Sequence, residues 1–189
     1  MARVTAIAAG MASTVITTSE RLTVRRLSDE DVPFMADLHG RTEVTGPLRM
    51  EPSTGIEEER ARLHRWVDYF GVAGDVGVWG IDVGEGHLVG LVLLKTLRPQ
   101  GDHDGYEVGW RLHPDAWGHG YATEAAAAVM AMACTERNLD VVYVVYVVYA
   151  VVEPMNSRSR AVADRLGMHP VGDLVFDGVL HDLLAGERP

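Results

Sequence analysis

The chain has 189 residues, 47% hydrophobic and 23% charged, with 17 Lys plus Arg against 27 Asp plus Glu, for a formal charge of −10. This is the composition of one folded domain able to build its core without staples, and it excludes wholesale disorder. Acidity of this size argues against nucleic acid as the main partner, because such binders need a basic stripe, and weakly favours an amine or cation.

Cys134 is the only cysteine, so no internal disulfide forms and a reducing, cytoplasmic compartment is the simple expectation. No run approaches the ~20 apolar residues that span a bilayer as a helix, and no membrane partner is expected. Met1 to Ile16 are apolar and small, with Arg3 near the start, but Gly10, Ser13 and Thr14 break the run. It reads as a loose tail, or as a start at Met11, rather than a secretory signal. The expected organisation is a tail at 1–18 and a single domain at 19–189.

Leu22 to Arg26 alternate as a first strand. Ser28-Asp29-Glu30-Asp31 is a helix start, a capping hydroxyl followed by acids, and the helix runs to about Gly40. After a loop with Pro47 and Pro52, Thr54 opens a second helix, in which Leu63, Trp66, Val67 and Phe70 are expected to face the core. Glu57, Glu58 and Glu59 read as helix-dipole chemistry on a solvated face, not as a metal site. Strands follow at about Val78–Val83 and Leu88–Lys95, joined by a hairpin turn at Gly84–His87. Another strand runs from Tyr106 to Leu112, stopped by Pro114. An alanine- and methionine-rich helix from about Tyr121 to Arg137 can pack closely on a sheet, with Cys134 as a buried small side chain rather than a nucleophile.

Residues 141–149 repeat Val-Val-Tyr three times, and Ala150-Val151-Val152 extend the run. β-Branched and aromatic residues this dense mean strand. Twelve residues in one straight strand would span roughly 40 Å, about twice the usual length, so the sheet is expected to use only part of the run. The surplus is either a tolerated duplication without meaning or an overhang that supports a homodimer.

The segment Leu112 to Ala125 lies between a strand and a helix. Gly118 and Gly120 let backbone N–H groups converge, and the helix N-terminus adds partial positive charge, which together suit a phosphate or pyrophosphate. The Lys-Ser/Thr of a P-loop and the third glycine of a dinucleotide fingerprint are missing.

Tyr106-Glu107-Val108-Gly109-Trp110-Arg111-Leu112, followed by Trp117-Gly118-His119-Gly120-Tyr121-Ala122-Thr123-Glu124-Ala125, resembles the acetyl-CoA motif of the GNAT superfamily of N-acetyltransferases, in its RimJ/RimL-like branch. The loop pattern of that family is Gln/Arg-x-x-Gly-x-Gly/Ala, here with Trp117 in the first position. Glu153-Pro154-Met155-Asn156-Ser157-Arg158-Ser159 with Arg165-Leu166-Gly167-Met168, and the opening Glu20 to Leu27, resemble further signatures of the family. The resemblance covers about residues 19–184. It implies an α+β, GNAT-like acyl-CoA N-acyltransferase fold: a mixed, mostly antiparallel sheet of six to seven strands with helices on both faces.

The resemblance also implies acetyl-CoA as co-substrate. Trp110, Arg111 and Leu112 would bond the pantetheine arm through their backbone. Trp117, Gly118, His119, Gly120, Tyr121, Ala122 and Thr123 would surround the pyrophosphate. The strand within 141–152 would splay away to admit the thioester, and a backbone N–H near Val108 to Trp110 would polarise its carbonyl. The amine would attack directly, positioned by the site, with no acyl-enzyme. Glu107 is the base candidate, through water, or else a structural carboxylate. The family's usual tyrosine acid is replaced by Ala163, and Ser159 is the substitute candidate, or else a helix-start hydrogen bond. Asn156 is a structural or cofactor-contacting residue at that helix start.

The run from Asp140 to Pro154 is about six residues longer than the family's spacing, an even number that keeps the strand's faces in register. The last strand, around His181 to Leu184, is expected to be short. His181 and Asp182 either line the acceptor cleft or serve that strand, and the histidines show no metal-ligand spacing. The expected function is acetyl transfer from acetyl-CoA to a primary amine, a protein N-terminus or a small molecule. The alternatives are a non-catalytic acyl-CoA-binding or regulatory module and a structural dimerisation protein.

Overall fold

The computed structural model describes residues 14–71, 76–96, 106–137, 141–147, 156–176 and 179–187. The expected tail up to residue 13, the side chain of Cys134, the Val-Val-Tyr run beyond Val147 and the Glu153-Pro154-Met155 part of the signature lie outside the described residues.

The elements in order are β1 (Val15–Thr18), β2 (Leu22–Arg26), α1 (Val32–Gly40), α2 (Thr42–Thr45), α3 (Ile56–Phe70), β3 (Gly77–Val83), β4 (His87–Thr96), β5 (Tyr106–Leu112), α4 (Tyr121–Arg137), β6 (Val141–Val147), α5 (Ser157–Arg165), β7 (His169–Phe176) and β8 (Val179–Glu187). They form one sheet in the order β1-β2-β3-β4-β5-β6-β8-β7. The sheet thus holds eight strands rather than six or seven. Two strands add to those named from the sequence: β1, made from residues assigned to the tail and paired antiparallel with β2, and β7, paired antiparallel with β8. The last strand is not short: β8 has nine residues and pairs with both β6 and β7.

Neighbouring strands are antiparallel except β5 and β6, which run parallel and share one register pair, Glu107 with Tyr143. β6 shares no further register pair with β5 and ladders instead with β8; the part of the 141–152 run beyond Val147, within which a splay is expected, lies outside the described residues.

Strand alternation divides the core between two faces. Val24, Ile81, Val92, Leu94, Val108 and Leu112 pack under α4, against Ala125, Ala126, Val129, Met130 and Ala133. The small side chains of α4 let the helix lie close to the pleat. The opposite face carries Leu91, which meets Leu38 of α1 and Val44 of α2. Arg25, Gly80, Leu91 and Arg111 fall on this second face in register with one another.

Two expectations for α3 fail together. Val67 does not face the core but is 45% exposed, and Glu59 is not on a solvated face but fully buried. The inward row of α3 runs through positions 59, 63, 66 and 70, so Val67 falls off it and Glu59 falls on it. The helix also starts at Ile56, two residues after Thr54, whose N–H and hydroxyl both donate to Glu58 at 2.8 Å.

Candidate functional site

The loop between β5 and α4 is built on two left-handed glycines, Gly118 at φ 81° and Gly120 at φ 80°. A side chain at either position would be strained, and the conformation turns successive N–H groups toward one side. Several bonds hold the loop in place. Trp117 Nε1 donates to the Leu112 carbonyl at 2.9 Å, and Arg21 Nη1 donates to the His119 carbonyl at 3.1 Å. Glu124, in the first turn of α4, accepts from Ser19 Oγ at 2.7 Å and from the Arg21 backbone N–H at 2.9 Å, and pairs with the Arg21 guanidinium at 2.6 Å. Burial works to raise the Glu124 carboxyl, but these donors win and hold it below the usual carboxylate range. Arg21 of the opening signature thus serves as a pin for the loop a hundred residues away.

The facing wall is the start of α5. Asn156 Oδ1 accepts from the Ser159 N–H at 3.1 Å, which makes Asn156 the helix cap. Arg158 reaches back across the opening, its guanidinium 4.0 Å from the centre of the Trp117 ring. Between the walls lies a cleft of about 630 Å³. Trp110 to Leu112, Trp117 to Thr123, Asn156 and Ser159 all line it, so the eleven residues expected around the cofactor and one proton-transfer candidate are brought together. Glu107 is not among the lining residues. It sits at the β5–β6 junction, 3.0 Å from Lys95 Nζ. His119 donates from Nδ1 to the Trp117 carbonyl at 2.9 Å and stacks on Tyr121. His181 is buried on β8, and Asp182 pairs with Arg160 of α5; neither lines the cleft. Ala163 is fully buried in the core.

Sequence reasoning missed the third wall. Glu43 and Val44 of α2, with Pro47 and Leu48 of the turn after it, line the cleft opposite α5. Behind them, in the second face of the sheet, lies a chain of ionisable groups. His39 and Glu59 are both fully buried, and His39 Nδ1 lies 2.7 Å from Glu59 Oε2. Arg62 Nε donates to Glu59 Oε1 at 3.0 Å. On the other side, Arg111 Nη1 donates to His39 Nε2 at 3.1 Å. An acceptor Nε2 and a donor Nδ1 assign a neutral imidazole. Burial is the main force pushing His39 below its ordinary value, and the cations Arg111 and Arg62 add to it against the pull of Glu59. For Glu59 burial works upward, but His39 and Arg62 keep the carboxyl below the usual range. Burial, with repulsion from Arg62, pushes the Arg111 guanidinium down to about 10. The signal in the sequence was Glu59 itself, a carboxylate in helical register with Leu63 and Trp66.

A loop of two left-handed glycines at a helix start, lining a cleft beside a parallel strand pair, is the arrangement suited to an acyl-CoA-dependent transferase. Residues 21–169 match the family model described as the acetyltransferase (GNAT) domain, and the chain belongs to that family. It is 24% identical over 155 residues, 82% of each chain, to the uncharacterized N-acetyltransferase p20 of Bacillus licheniformis. Among solved structures, it superposes on RimL, the ribosomal L7/L12 alpha-N-protein acetyltransferase, with a TM-score of 0.71 at 18% identity, covering 96% of this chain and 98% of that one. Mycobacterium smegmatis RimJ in complex with CoA-disulfide gives 0.68 at 19% identity over 88% and 81% of the chains.

The residues present fit an acyl-CoA. Gly118 and Gly120 supply the anion nest, and Arg158 adds a cation where the chain as a whole is acidic. Thr123 Oγ1 is buried at the cleft with no hydrogen-bond partner among the described residues, a polar atom that a bound ligand would satisfy. No cluster of His, Cys, Asp and Glu suited to a metal occurs among the described residues, and no helix there is long and apolar enough to cross a membrane.

Proposed function

We propose that this chain transfers an acetyl group from acetyl-CoA directly to a primary amine, a protein N-terminus or a small molecule, without an acyl-enzyme. The observation that supports the reading is the cleft that gathers Trp110–Leu112 of β5, the glycine loop at Trp117–Thr123 and the start of α5 around one opening. Acetyl-CoA supplies the activated thioester. The β5 backbone at 110–112 lies along the arm, the N–H groups at 118–122 and Arg158 hold the phosphates, and a β5 amide between Val108 and Trp110 polarises the carbonyl. In the reaction the N–C bond forms and the C–S bond breaks. The ammonium gives one proton to Glu107 through water, and as the C–S bond breaks the departing thiolate takes a proton from Ser159, which recovers it from the nitrogen that becomes the amide. Lys95 keeps the Glu107 carboxylate fixed on β5. Most of the acceleration comes from positioning.

The test is CoA release, with mass detection of the product, over a panel of amines and N-terminal peptides. Glu107→Gln and Ser159→Ala are expected to lower kcat by roughly 10²- to 10⁴-fold each, with acetyl-CoA affinity retained. Tight acetyl-CoA binding without transfer to any acceptor would replace this reading with a non-catalytic acyl-CoA-binding module.

A further inference from the structure

Val108 and Leu112 of β5 point under α4, so Arg111 between them is carried to the opposite face, toward α1 and α2. There it lines the cleft together with Glu43, Val44, Pro47 and Leu48, half-buried. A guanidinium has five N–H donors. Among the described residues Arg111 uses one of them, toward His39 Nε2 at 3.1 Å. That partner carries no charge, because its other nitrogen donates to Glu59, whose carboxylate shares the Arg62 guanidinium with Glu58, each at 3.0 Å. No carboxylate of the described residues lies within ion-pair distance of Arg111. Among the described residues the Arg111 guanidinium therefore has no carboxylate in contact, Glu59 and Glu107 acting on it only from a distance, and its fork is held in place from behind by a buried imidazole.

Such an arrangement is preorganised for an anion, and two anions meet this cleft. The phosphates belong to the nest at Gly118 and Gly120, which leads into α4 on the other face of the sheet. The face of Arg111 is that of α1 and α2, away from the nest, and its free donors are open to the second substrate of the cleft. We propose that Arg111 is the specificity-determining anchor for a carboxylate on the acceptor, so that the amines this enzyme uses are amino-carboxylates. His39 is the positioning residue: it fixes the guanidinium, and Glu59 fixes the tautomer of His39. A free amino acid and an acidic peptide end offer the same carboxylate to the fork. The proposal rests on the N-acetyltransferase reading above.

The experiment compares acceptors that differ only in carboxylate against carboxamide, at saturating acetyl-CoA. One arm uses free amino acids against their own α-carboxamides, alanine with alaninamide and glutamate with its α-amide; the other uses peptides beginning with Asp or Glu against the same peptides beginning with Asn or Gln. The expected result is a kcat/KM preference for the carboxylate of roughly 10- to 100-fold in one arm, carried mostly by KM. The arm showing it identifies the acceptor as free amino acid or peptide end. Arg111→Gln keeps an N–H for His39 but loses the charge, and is expected to bring the carboxylate-to-carboxamide ratio close to one. Arg111→Lys is expected to restore part of it. Equal rates on both members of every pair in the wild-type protein would overturn the proposal while leaving the acetyltransferase intact. So would an Arg111→Gln effect that raises the KM of acetyl-CoA and leaves the acceptor ratio unchanged, which would make Arg111 a phosphate contact. Transfer to no acceptor at all would remove the parent reading and this one with it.

Discussion

Gly90→Ala sets a methyl group against the strand that forms the cleft wall. Gly90 is buried in β4 opposite Leu112 of β5. A Cβ there would lie 2.5 Å from the Arg111 carbonyl oxygen, 2.9 Å from Leu112 Cγ and 3.0 Å from Leu112 Cα. Ordinary contact begins at 3.4 Å, and two of the three atoms are backbone, so the strands themselves must separate by up to about 0.9 Å. Overpacking of this kind costs about 1–3 kcal/mol, and loss of glycine's freedom in the unfolded chain returns about 0.4–1 kcal/mol. The net loss is then up to about 2.6 kcal/mol, and at about 2–4 °C per kcal/mol the Tm falls by up to about 10 °C. Because the displaced backbone is that of Arg111 and Leu112, acetyl-CoA affinity falls with stability. Differential scanning calorimetry and a calorimetric titration with acetyl-CoA measure the two effects. A variant melting at or above the wild-type temperature would refute the reasoning.

Gly120→Glu puts a side chain at φ 80° and a negative charge in the anion nest. Acetyl-CoA binding is expected to fall at least roughly 100-fold while the strain costs only about 1–2 kcal/mol of stability; unchanged affinity by calorimetry would remove the loop from the binding site. Glu124→Ala removes the acceptor for Ser19 and Arg21 and frees the loop, so the KM of acetyl-CoA is expected to rise roughly tenfold with a smaller change in kcat. His39 is held neutral in the fold, so below its ordinary value of 6.5 the unfolded chain binds a proton that the folded one does not. Stability is therefore full above pH 6.5 and falls as the pH drops below it; Glu59, also held low, extends the loss further into acid. Urea unfolding at a series of pH values is expected to show this slope in the wild type and a shallower one in His39→Asn. Equal slopes in the two proteins would show that His39 does not carry it.

The alternation at Leu22–Arg26, the hairpin at Gly84–His87 and the two glycines before a small-residue helix were enough to lay out the sheet and its phosphate loop, because these features act over a few residues. Three things were not legible. Val15–Thr18 is a short edge strand whose existence depends on pairing with β2, and nothing within those four residues requires it. Glu59 reads as a member of an acidic first turn until its partner is known, and that partner, His39, is twenty residues away in another helix. Arg111 was legible as a strand residue contributing backbone, but the face taken by its side chain follows from the register with Leu91, which a single strand does not disclose. In the cleft, residues that belong to one local motif were found together; the wall made from α2 and the turn at Gly46–Leu48 has no local pattern and emerged only from packing.

The order β5-β6-β8-β7 has a consequence for synthesis. β6 meets β5 at one residue pair, and its ladder partner along the whole strand is β8, which is made only after α5 and β7. On the ribosome, a strand reading Val-Val-Tyr-Val-Val-Tyr-Val must therefore wait, nearly unpaired on both edges, while the sheet from β1 to β5 can already close. The nascent chain is most exposed to aggregation during that interval, because protection of this strand depends on the last one to be made.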